Sequence, residues 1–285
     1  MKTFSLLTCT LFLAVLVSSC QKDSQAPAAQ TPASASKFGT KTLSGGSGLS
    51  YTVNLGMIDY YPFHGNFNDV SGHGHTAEGY SIGYPAPFFD HLGVPPTLTA
   101  NKYGIANEAY KFDGLSDEVN STNSVFDPKQ AQTQFSLYVR YKGDGIGGLV
   151  CSGTIGNWYP DEPGFSLQSN GNNVEFIWND YFKDVPATGQ LAADLKSGTL
   201  PSLCKNSWVD VAVNYSNSIL TMYINGKKVS SLTPPFPGPA HFSSGLGIGY
   251  NQVRYPQYFF NSAIDEVRVY NRPLTDDEIA YLYAH

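Results

Sequence analysis

The sequence is short of charge, of basic residues in particular, and of long apolar runs. Charged residues make up 14% of the 285 residues, and 17 lysines and arginines stand against 23 aspartates and glutamates. A formal charge of −6 offers no basic surface for nucleic acid or for an anionic membrane, so neither is an expected partner. After residue 17, no apolar run approaches the ~20 residues of a spanning helix. Any membrane attachment is therefore predicted to be by an anchor.

Methionine is also scarce, whereas glycine, proline and aromatic residues are plentiful. The chain has 3 Met against 28 Gly, 18 Pro, 19 Tyr and 17 Phe, which is typical of many short strands joined by turns. Apolar residues alternate with polar ones in 135–141, 174–178 and 209–215. Such half-buried strands belong to antiparallel sheets. The predicted fold class is all-β, an antiparallel β-sandwich, with a two-residue hairpin turn at Asn225-Gly226.

The N-terminus predicts a lipoprotein. Lys2 precedes the apolar run Phe4 to Val17, and Val17-Ser-Ser-Cys20 is similar to a bacterial lipobox, in which cleavage occurs before the cysteine. An ordinary secretory peptide is the alternative. We interpret 1–19 as the signal peptide, Cys20 as lipidated, 20–50 as a flexible Ala/Ser/Thr/Gly/Pro linker and 51–285 as the folded domain. Because Gln21-Lys-Asp resembles a surface-export signal, the expected location is the cell envelope, on an outer-membrane lipoprotein exposed at the surface.

Only four cysteines are present, and Cys9 and Cys20 are accounted for by the signal peptide and the lipid anchor. Cys151 and Cys204 remain in the domain. An exported compartment permits a disulfide between them. The alternative is two separate buried thiols.

The segment Ala263 to Ile279 joins a strand to a helix start. Period-2 alternation places Asp265, Val267 and Val269 on one face and Glu266 on the other. Thr275 and Glu278 form a capping box for a short final helix, roughly Asp276 to Tyr283. An aspartate on a face of valines needs either water, a cation or several hydrogen-bond donors.

Five stretches together resemble one family, the LamG-like jelly-roll domains of the concanavalin A-like lectin/glucanase superfamily. They are Tyr60 to His75, Ala109 to Asp117, Phe135 to Tyr141, Trp208 to Tyr215 with its hairpin, and the closing segment. The resemblance implies a concanavalin A-like jelly roll with a short C-terminal helix. A shared fold does not fix a function.

No catalytic set is predicted. Hydrolases of that superfamily use paired carboxylates in a Glu-x-Asp-x-Glu-like pattern on one strand face. None of the seven glutamates in this chain is followed two positions later by an aspartate. A glycoside hydrolase or lyase that takes a carboxylate pair from different strands is the alternative. The pair His73 and His75 lies in a Gly-rich loop and is interpreted as exposed turn positions rather than as zinc ligands.

Calcium is the predicted structural cofactor. Asn66, Asn68, Asp69 and Ser71 bring oxygen ligands into one loop, and calcium accepts six to eight oxygens. Similar folds often bind calcium between this loop and the final strand, which would make Asp265 a shared ligand. The alternative is a loop of Asx turns.

Loop aromatics are the predicted ligand contacts, because sugar rings stack on flat apolar side chains flanked by polar groups. The alternative role for each is to cover the core. The candidates are Trp158, Tyr159, Asp161, Tyr181, Phe182, Tyr84, Tyr255 and Tyr258. The sequence thus predicts a non-catalytic binding module with a glycan as ligand, and a protein-binding or adhesion domain as the alternative.

Overall fold

The computed structural model describes residues 52–81, 95–124, 133–152, 164–179, 193–234, 245–251 and 258–285. Within these ranges the chain forms fifteen strands, a 3-10 turn at Ser202–Cys204 and a helix, α1, at Asp276–Ala284. The strands are β1 (Met57–Tyr61), β2 (Ala77–Ser81), β3 (Thr97–Thr99), β4 (Ala109–Lys111), β5 (Asp117–Ser124), β6 (Phe135–Lys142), β7 (Ile146–Ser152), β8 (Gly164–Asn170), β9 (Val174–Asn179), β10 (Ala193–Lys196), β11 (Trp208–Ser216), β12 (Ile219–Ile224), β13 (Lys227–Leu232), β14 (Gly245–Ile248) and β15 (Ala263–Tyr270).

The strands form two antiparallel sheets. The eight-stranded sheet has the order β13-β12-β11-β6-β15-β4-β3, and β1 also pairs with β15. The seven-stranded sheet has the order β10-β9-β8-β7-β14-β5-β2. The predicted all-β antiparallel sandwich with a short C-terminal helix is confirmed.

The core lies between the sheets and is rich in aromatic rings. Phe135 of β6 stacks on Phe165 of β8 with ring centroids 6.4 Å apart, and Trp178 of β9 meets Tyr215 of β11 edge to face at 4.8 Å. All four side chains are fully buried. Because each ring comes from a strand that alternates core and surface positions, the opposite side chains of these strands face away from the core.

The hairpin between β12 and β13 turns at Asn225-Gly226, as predicted. Both residues have positive φ, 49° and 75°, as a two-residue turn of this type requires. The Asn225 side chain also accepts a hydrogen bond from the backbone N–H of Asp210 at 2.9 Å. The turn is thereby fixed to β11 as well as to its own hairpin.

A β-bulge interrupts β15 at Glu266. Asp265 pairs with Arg140 of β6 and Arg268 with Tyr138, so two residues of β15, Glu266 and Val267, oppose the single residue Val139 of β6. Glu266 takes the left-handed conformation, with φ of 52°. The bulge resets the alternation. Ile264, Val267 and Val269 all lie in the core, and the prediction that Asp265 shares a face with the two valines is therefore wrong.

Helix α1 covers the outer face of the eight-stranded sheet, where Ile279 and Leu282 pack on Tyr138 and Tyr270. Both hydrogen bonds of the predicted capping box between Thr275 and Glu278 are present. Both Nη atoms of Arg272 also lie 2.8 Å from the Glu278 carboxylate. Burial raises the pKa of Glu278, but Arg272 and the Thr275 N–H outweigh it and bring the pKa down to about 2.

In the described part of the chain, no helix combines the length and the apolar character needed to cross a membrane.

The predicted disulfide between Cys151 and Cys204 is not formed. Cys151 carries a buried thiol that packs with Tyr250 and Phe259 on the outer side of β7. Cys204 belongs to the main core between the sheets. The two side chains lie in different clusters, one on each side of the seven-stranded sheet, which is why they do not meet.

Candidate functional site

The outer face of the seven-stranded sheet carries polar side chains on both sides of the buried cluster of Cys151, Tyr250 and Phe259, and we call these polar side chains the polar face. Its side chains are those that alternate with core residues such as Val119, Leu167 and Phe176. The polar face carries Glu78 and Tyr80 of β2, Glu118 and Asn120 of β5, Ser166 and Gln168 of β8, Glu175 and Ile177 of β9, and Asp194 and Lys196 of β10.

A hydrogen-bonded chain organises one half of the polar face. The hydroxyl of Tyr250 donates to Asn120 Oδ1 at 2.5 Å, and Asn120 Nδ2 donates to Glu118 Oε1 at 2.9 Å. Tyr250 reaches Asn120 by lying across Gly247, where a Cβ atom would come within 2.7 Å of its ring hydroxyl. Glycine at 247 therefore makes room for this tyrosine.

The other half of the polar face ends in an ion-pair cluster. Lys196 Nζ lies 2.9 Å from Glu175 and 3.1 Å from Asp194, and Gln168 Nε2 donates to Glu175 at 2.7 Å. Burial raises the pKa of Glu175, but the hydrogen bonds from Lys196 and Gln168 make the net shift downward. One ammonium group holds both carboxylates, so they do not flank an open cleft as a glycosidase pair would.

Ser166 lies between these two halves. Its hydroxyl is 1% exposed and has no hydrogen-bond partner within the described residues. A buried polar group left in this state costs free energy. Ser166 pairs with the buried Cys151 in the β7–β8 ladder, so its hydroxyl is enclosed and is not reached from solvent.

Most of the predicted ligand contacts fall outside the described residues, namely Trp158, Tyr159, Asp161, Tyr181, Phe182, Tyr84 and Tyr255. Tyr258 is described and is half-buried next to Phe259. The strands that bracket 153–163 and 180–192 are described. Ser152 pairs with Phe165, and Gly164 pairs with Asn179. The chain therefore enters and leaves both loops at the same end of the polar face.

The loop from Asn66 to His75 is organised by Asp69. Asp69 Oδ1 accepts from the backbone N–H groups of Tyr60 and Ser71, and Oδ2 accepts from the Ser71 hydroxyl and from the N–H groups of Gly74 and His75, all at 2.8–3.1 Å. Burial alone would raise the pKa of Asp69, but the hydrogen-bond donors lower it by a larger amount. The net pKa is therefore below its usual value, and the carboxyl is ionised. Five donors occupy the two oxygens.

Several of the predicted calcium ligands are engaged in hydrogen bonds within the protein. Asn66 Oδ1 accepts from the Asn68 N–H at 2.9 Å, which is an Asx turn, and Ser71 Oγ lies 2.7 Å from the backbone oxygen of Ile58. Asp265 bonds to the N–H of Glu266 and makes no hydrogen bond to this loop. With the lone pairs of Asp69 in use and Asp265 turned away by the bulge, this ligand set does not fit calcium.

A different group of possible ligands converges beside the loop. Single ligand atoms of Asp59, Asp69 and His75 lie within 4.8 Å of one another. Asp59 is fully buried, with Oδ1 2.5 Å from His75 Nδ1 and with Oδ2 unpartnered among the described residues. Burial raises the pKa of Asp59 to about 6, against the opposing effect of His75. His73 is exposed as predicted, whereas His75 is half-buried.

Asp59 was missed by sequence reasoning. It pairs with Val269 in the ladder, so its side chain points toward the core edge of β1. The available signal was a lone carboxylate at a core-facing position of an apolar strand, which is costly unless a partner is near.

A family model, Laminin_G_3, described as the concanavalin A-like lectin/glucanases superfamily, matches residues 112–280. The chain belongs to this superfamily. A search of the curated proteins found no match.

Solved structures with a similar fold include domain 4 of AbnA, a GH43 extracellular arabinanase from Geobacillus stearothermophilus, in complex with arabinotriose. It shares 18% identity with a TM-score of 0.57, and the match covers 80% of this chain and 98% of that domain. The binding domain of botulinum neurotoxin DC is similar in its complexes with SialylT (16% identity, TM-score 0.57) and with rat synaptotagmin II (14%, 0.59). Both matches cover 81% of this chain, which spans about half of the neurotoxin domain (52%). At these identities the likeness shows the fold.

Proposed function

We propose that this protein is a non-catalytic carbohydrate-binding module held at the cell envelope by a lipid anchor. The observation that carries the proposal is the polar face. It combines side-chain amides and carboxylates held at fixed positions, such as Asn120, Gln168 and Glu175, with two loops that carry aromatic residues and leave from one end. Hydroxyl-rich ligands need this combination of hydrogen-bonding groups and flat apolar surfaces.

The similar structures support the same class of ligand. The arabinanase domain has arabinotriose in its complex, and the neurotoxin domain has SialylT. The non-catalytic part of the proposal is supported by the absence of a Glu-x-Asp pair from the sequence and by Lys196 between Glu175 and Asp194.

A glycan array tests the ligand. The full chain carrying Cys20→Ala, to remove the lipid, should bind one class of glycan, and Trp158→Ala should abolish that binding. Tyr103→Ala, an exposed aromatic near the edge of the eight-stranded sheet, is the matched control and should bind normally. Silence across plant, host and microbial glycans, or equal loss in both variants, would contradict the proposal. Intact glycan after prolonged incubation supports the non-catalytic assignment, and cleavage products refute it.

A protein ligand is the second candidate, because one of the similar neurotoxin complexes contains synaptotagmin II. It predicts that the array stays silent while the protein still binds cell surfaces, and that protease treatment of those surfaces removes the binding. Glycosidase treatment would remove it under the first proposal.

The anchor and the cofactor are tested separately. Residue Cys20 lies outside the described residues, and we propose it as the lipidated position of an outer-membrane lipoprotein exposed at the surface. Radiolabelled palmitate should be incorporated by the native chain and not by Cys20→Ala, and external protease should degrade the native protein on intact cells.

A structural calcium ion remains a prediction, although the ligand set first predicted for it does not fit. Thermal melts with calcium and with EGTA decide it. Identical midpoints, together with no metal by elemental analysis, would remove it.

A further inference from the structure

A cavity lies on the side of the sandwich opposite the polar face, between the eight-stranded sheet and helix α1. Its volume is about 270 Å³. The side chains that decide its chemistry are Tyr60 of β1, Arg140 of β6, Glu266 and Arg268 of β15, and Tyr281 of α1, with Asn54 at its rim. Pockets for drug-sized ligands typically measure ~300–1,000 Å³, so this one suits a ligand of a single ring.

The lining presents both donors and acceptors. Arg140 is 3% exposed, and its Nε donates to Asp210 while Nη2 donates to the backbone oxygen of Leu282. Its Nη1 makes no hydrogen bond within the described part of the chain. Glu266 accepts from Tyr60 on Oε1 and from Arg268 on Oε2, which leaves acceptor capacity on Oε1.

The charge of the lining decides between ligand classes. Arg140 is balanced by Asp210 at 2.8 Å, and Arg268 by Glu266 at 2.6 Å. An added anion would face the carboxylates of Glu266 and Asp210. An added cation would face two guanidinium groups. A neutral ligand with several hydroxyls meets the donors and acceptors without a new buried charge.

The aromatic side chains add flat surfaces. Tyr60 is covered on one face by Arg268, whose guanidinium carbon lies 4.1 Å from the ring centroid. Tyr281 stacks on His285 at 4.0 Å and lines the cavity from the helix side. Rings beside hydrogen-bonding groups match the alternating apolar and hydroxyl surfaces of a pyranose or furanose.

We propose that this cavity is a binding site for one neutral monosaccharide unit, with Arg140 as donor, Glu266 as acceptor and Tyr281 as the ring contact. It is separate from the polar face and does not rest on the function proposed there. The β-bulge shapes this site, because the extra residue in β15 turns the Glu266 side chain toward Arg268 and the cavity.

Saturation-transfer NMR with the full Cys20→Ala chain tests the proposal. The probes are neutral aldohexoses and aldopentoses, with glycerol and glucuronate as comparison ligands. At least one neutral sugar should give a signal, stronger than that of either comparison ligand. Asn54→Trp places a large ring at the rim from an exposed position and should weaken binding about tenfold or more. Asn172→Trp, in the exposed turn between β8 and β9, should not change it.

Tyr281→Leu is a second test in case Asn54→Trp does not fold. It should also weaken the saturation-transfer signal of the neutral sugar. Trp158→Ala separates the two sites, because it should abolish array binding and leave the monosaccharide signal in place. No signal from any neutral sugar, an unchanged signal in both Asn54→Trp and Tyr281→Leu, or tighter binding of glucuronate would overturn the assignment.

Discussion

The two outer faces of the sandwich place ion pairs in opposite surroundings. On the eight-stranded sheet, Arg140 and Asp210 are 3% and 2% exposed beneath helix α1. On the seven-stranded sheet, Lys196 is 53% exposed beside Glu175. Alternation along the strands puts polar side chains on both outer faces. How far each face is covered by other parts of the protein decides how much its ion pair contributes to stability. The covered ion pair stabilises the eight-stranded sheet and its helix, whereas the exposed ion pair leaves the seven-stranded sheet available to solvent and ligands.

The sharpest test of this comparison removes one charge from each pair. Asp210→Asn leaves Arg140 buried without its carboxylate, and we expect a loss of about 3–5 kcal/mol in the free energy of unfolding. Lys196→Ala should cost about 1 kcal/mol or less, because solvent screens that pair. Urea denaturation at pH 7 measures both. Equal losses would show that the cover of α1 does not matter.

A second test concerns the buried Asp265, whose folded pKa of about 8 lies above the ordinary 3.8. The folded state holds this proton more tightly, so its contribution to stability is full below pH 3.8 and is lost as the pH rises toward 8. Asp265→Asn should therefore stabilise the protein at pH 7 on the order of 2 kcal/mol, and less at pH 5. Denaturation at both pH values checks it. A pH-independent difference between variant and native protein would contradict the raised pKa.

Helix α1 itself provides the third test. The Glu278 pKa of about 2 lies below its ordinary 4.5, so the contribution of its ion pair with Arg272 is present above pH 4.5 and is lost as the pH falls toward 2. In Glu278→Gln, the free energy of unfolding should no longer show the fall that this ion pair causes between pH 4.5 and pH 2.

Thr275→Ala is the matched control in the same capping box. It should cost about 1 kcal/mol at every pH, because it removes a neutral cap. If Glu278→Gln kept the full acid dependence of the native protein, another carboxyl would be responsible.

The smallest expected effect lies on the polar face. Ser166→Ala removes a buried hydroxyl without a partner, so stability should be unchanged or higher by up to about 1 kcal/mol. Glycan affinity should be unchanged, because the enclosed hydroxyl is not accessible to a ligand. Thermal melts and array binding of the same sample separate these effects. Lower stability would show that the hydroxyl has a hydrogen-bond partner, and weaker glycan binding would show that a ligand reaches it.

The fold could be predicted because its signals are local and repeated. Alternation identified β6, β9 and β11, the Asn225-Gly226 pair identified the hairpin, and Thr275 with Glu278 identified the start of α1. Each depends on residues within a few positions of one another.

The site could be predicted only in part, because it depends on contacts far apart in the chain. One inserted residue at Glu266 reversed the expected face of Asp265, and period-2 reasoning cannot detect a bulge. The pairing of Asp59 with His75 joins residues 16 apart. The cavity brings Tyr60 to Glu266 across 206 positions of sequence.

The position of β15 has a consequence for how the protein is made. This last strand lies inside the eight-stranded sheet, with β6 on one edge and β1 and β4 on the other. Until residues 263–270 have been synthesised, β6 and β1 have nothing between them, and pairing at such long sequence separation is slow. The eight-stranded sheet can therefore close only after residues 263–270 have joined β6 to β1 and β4.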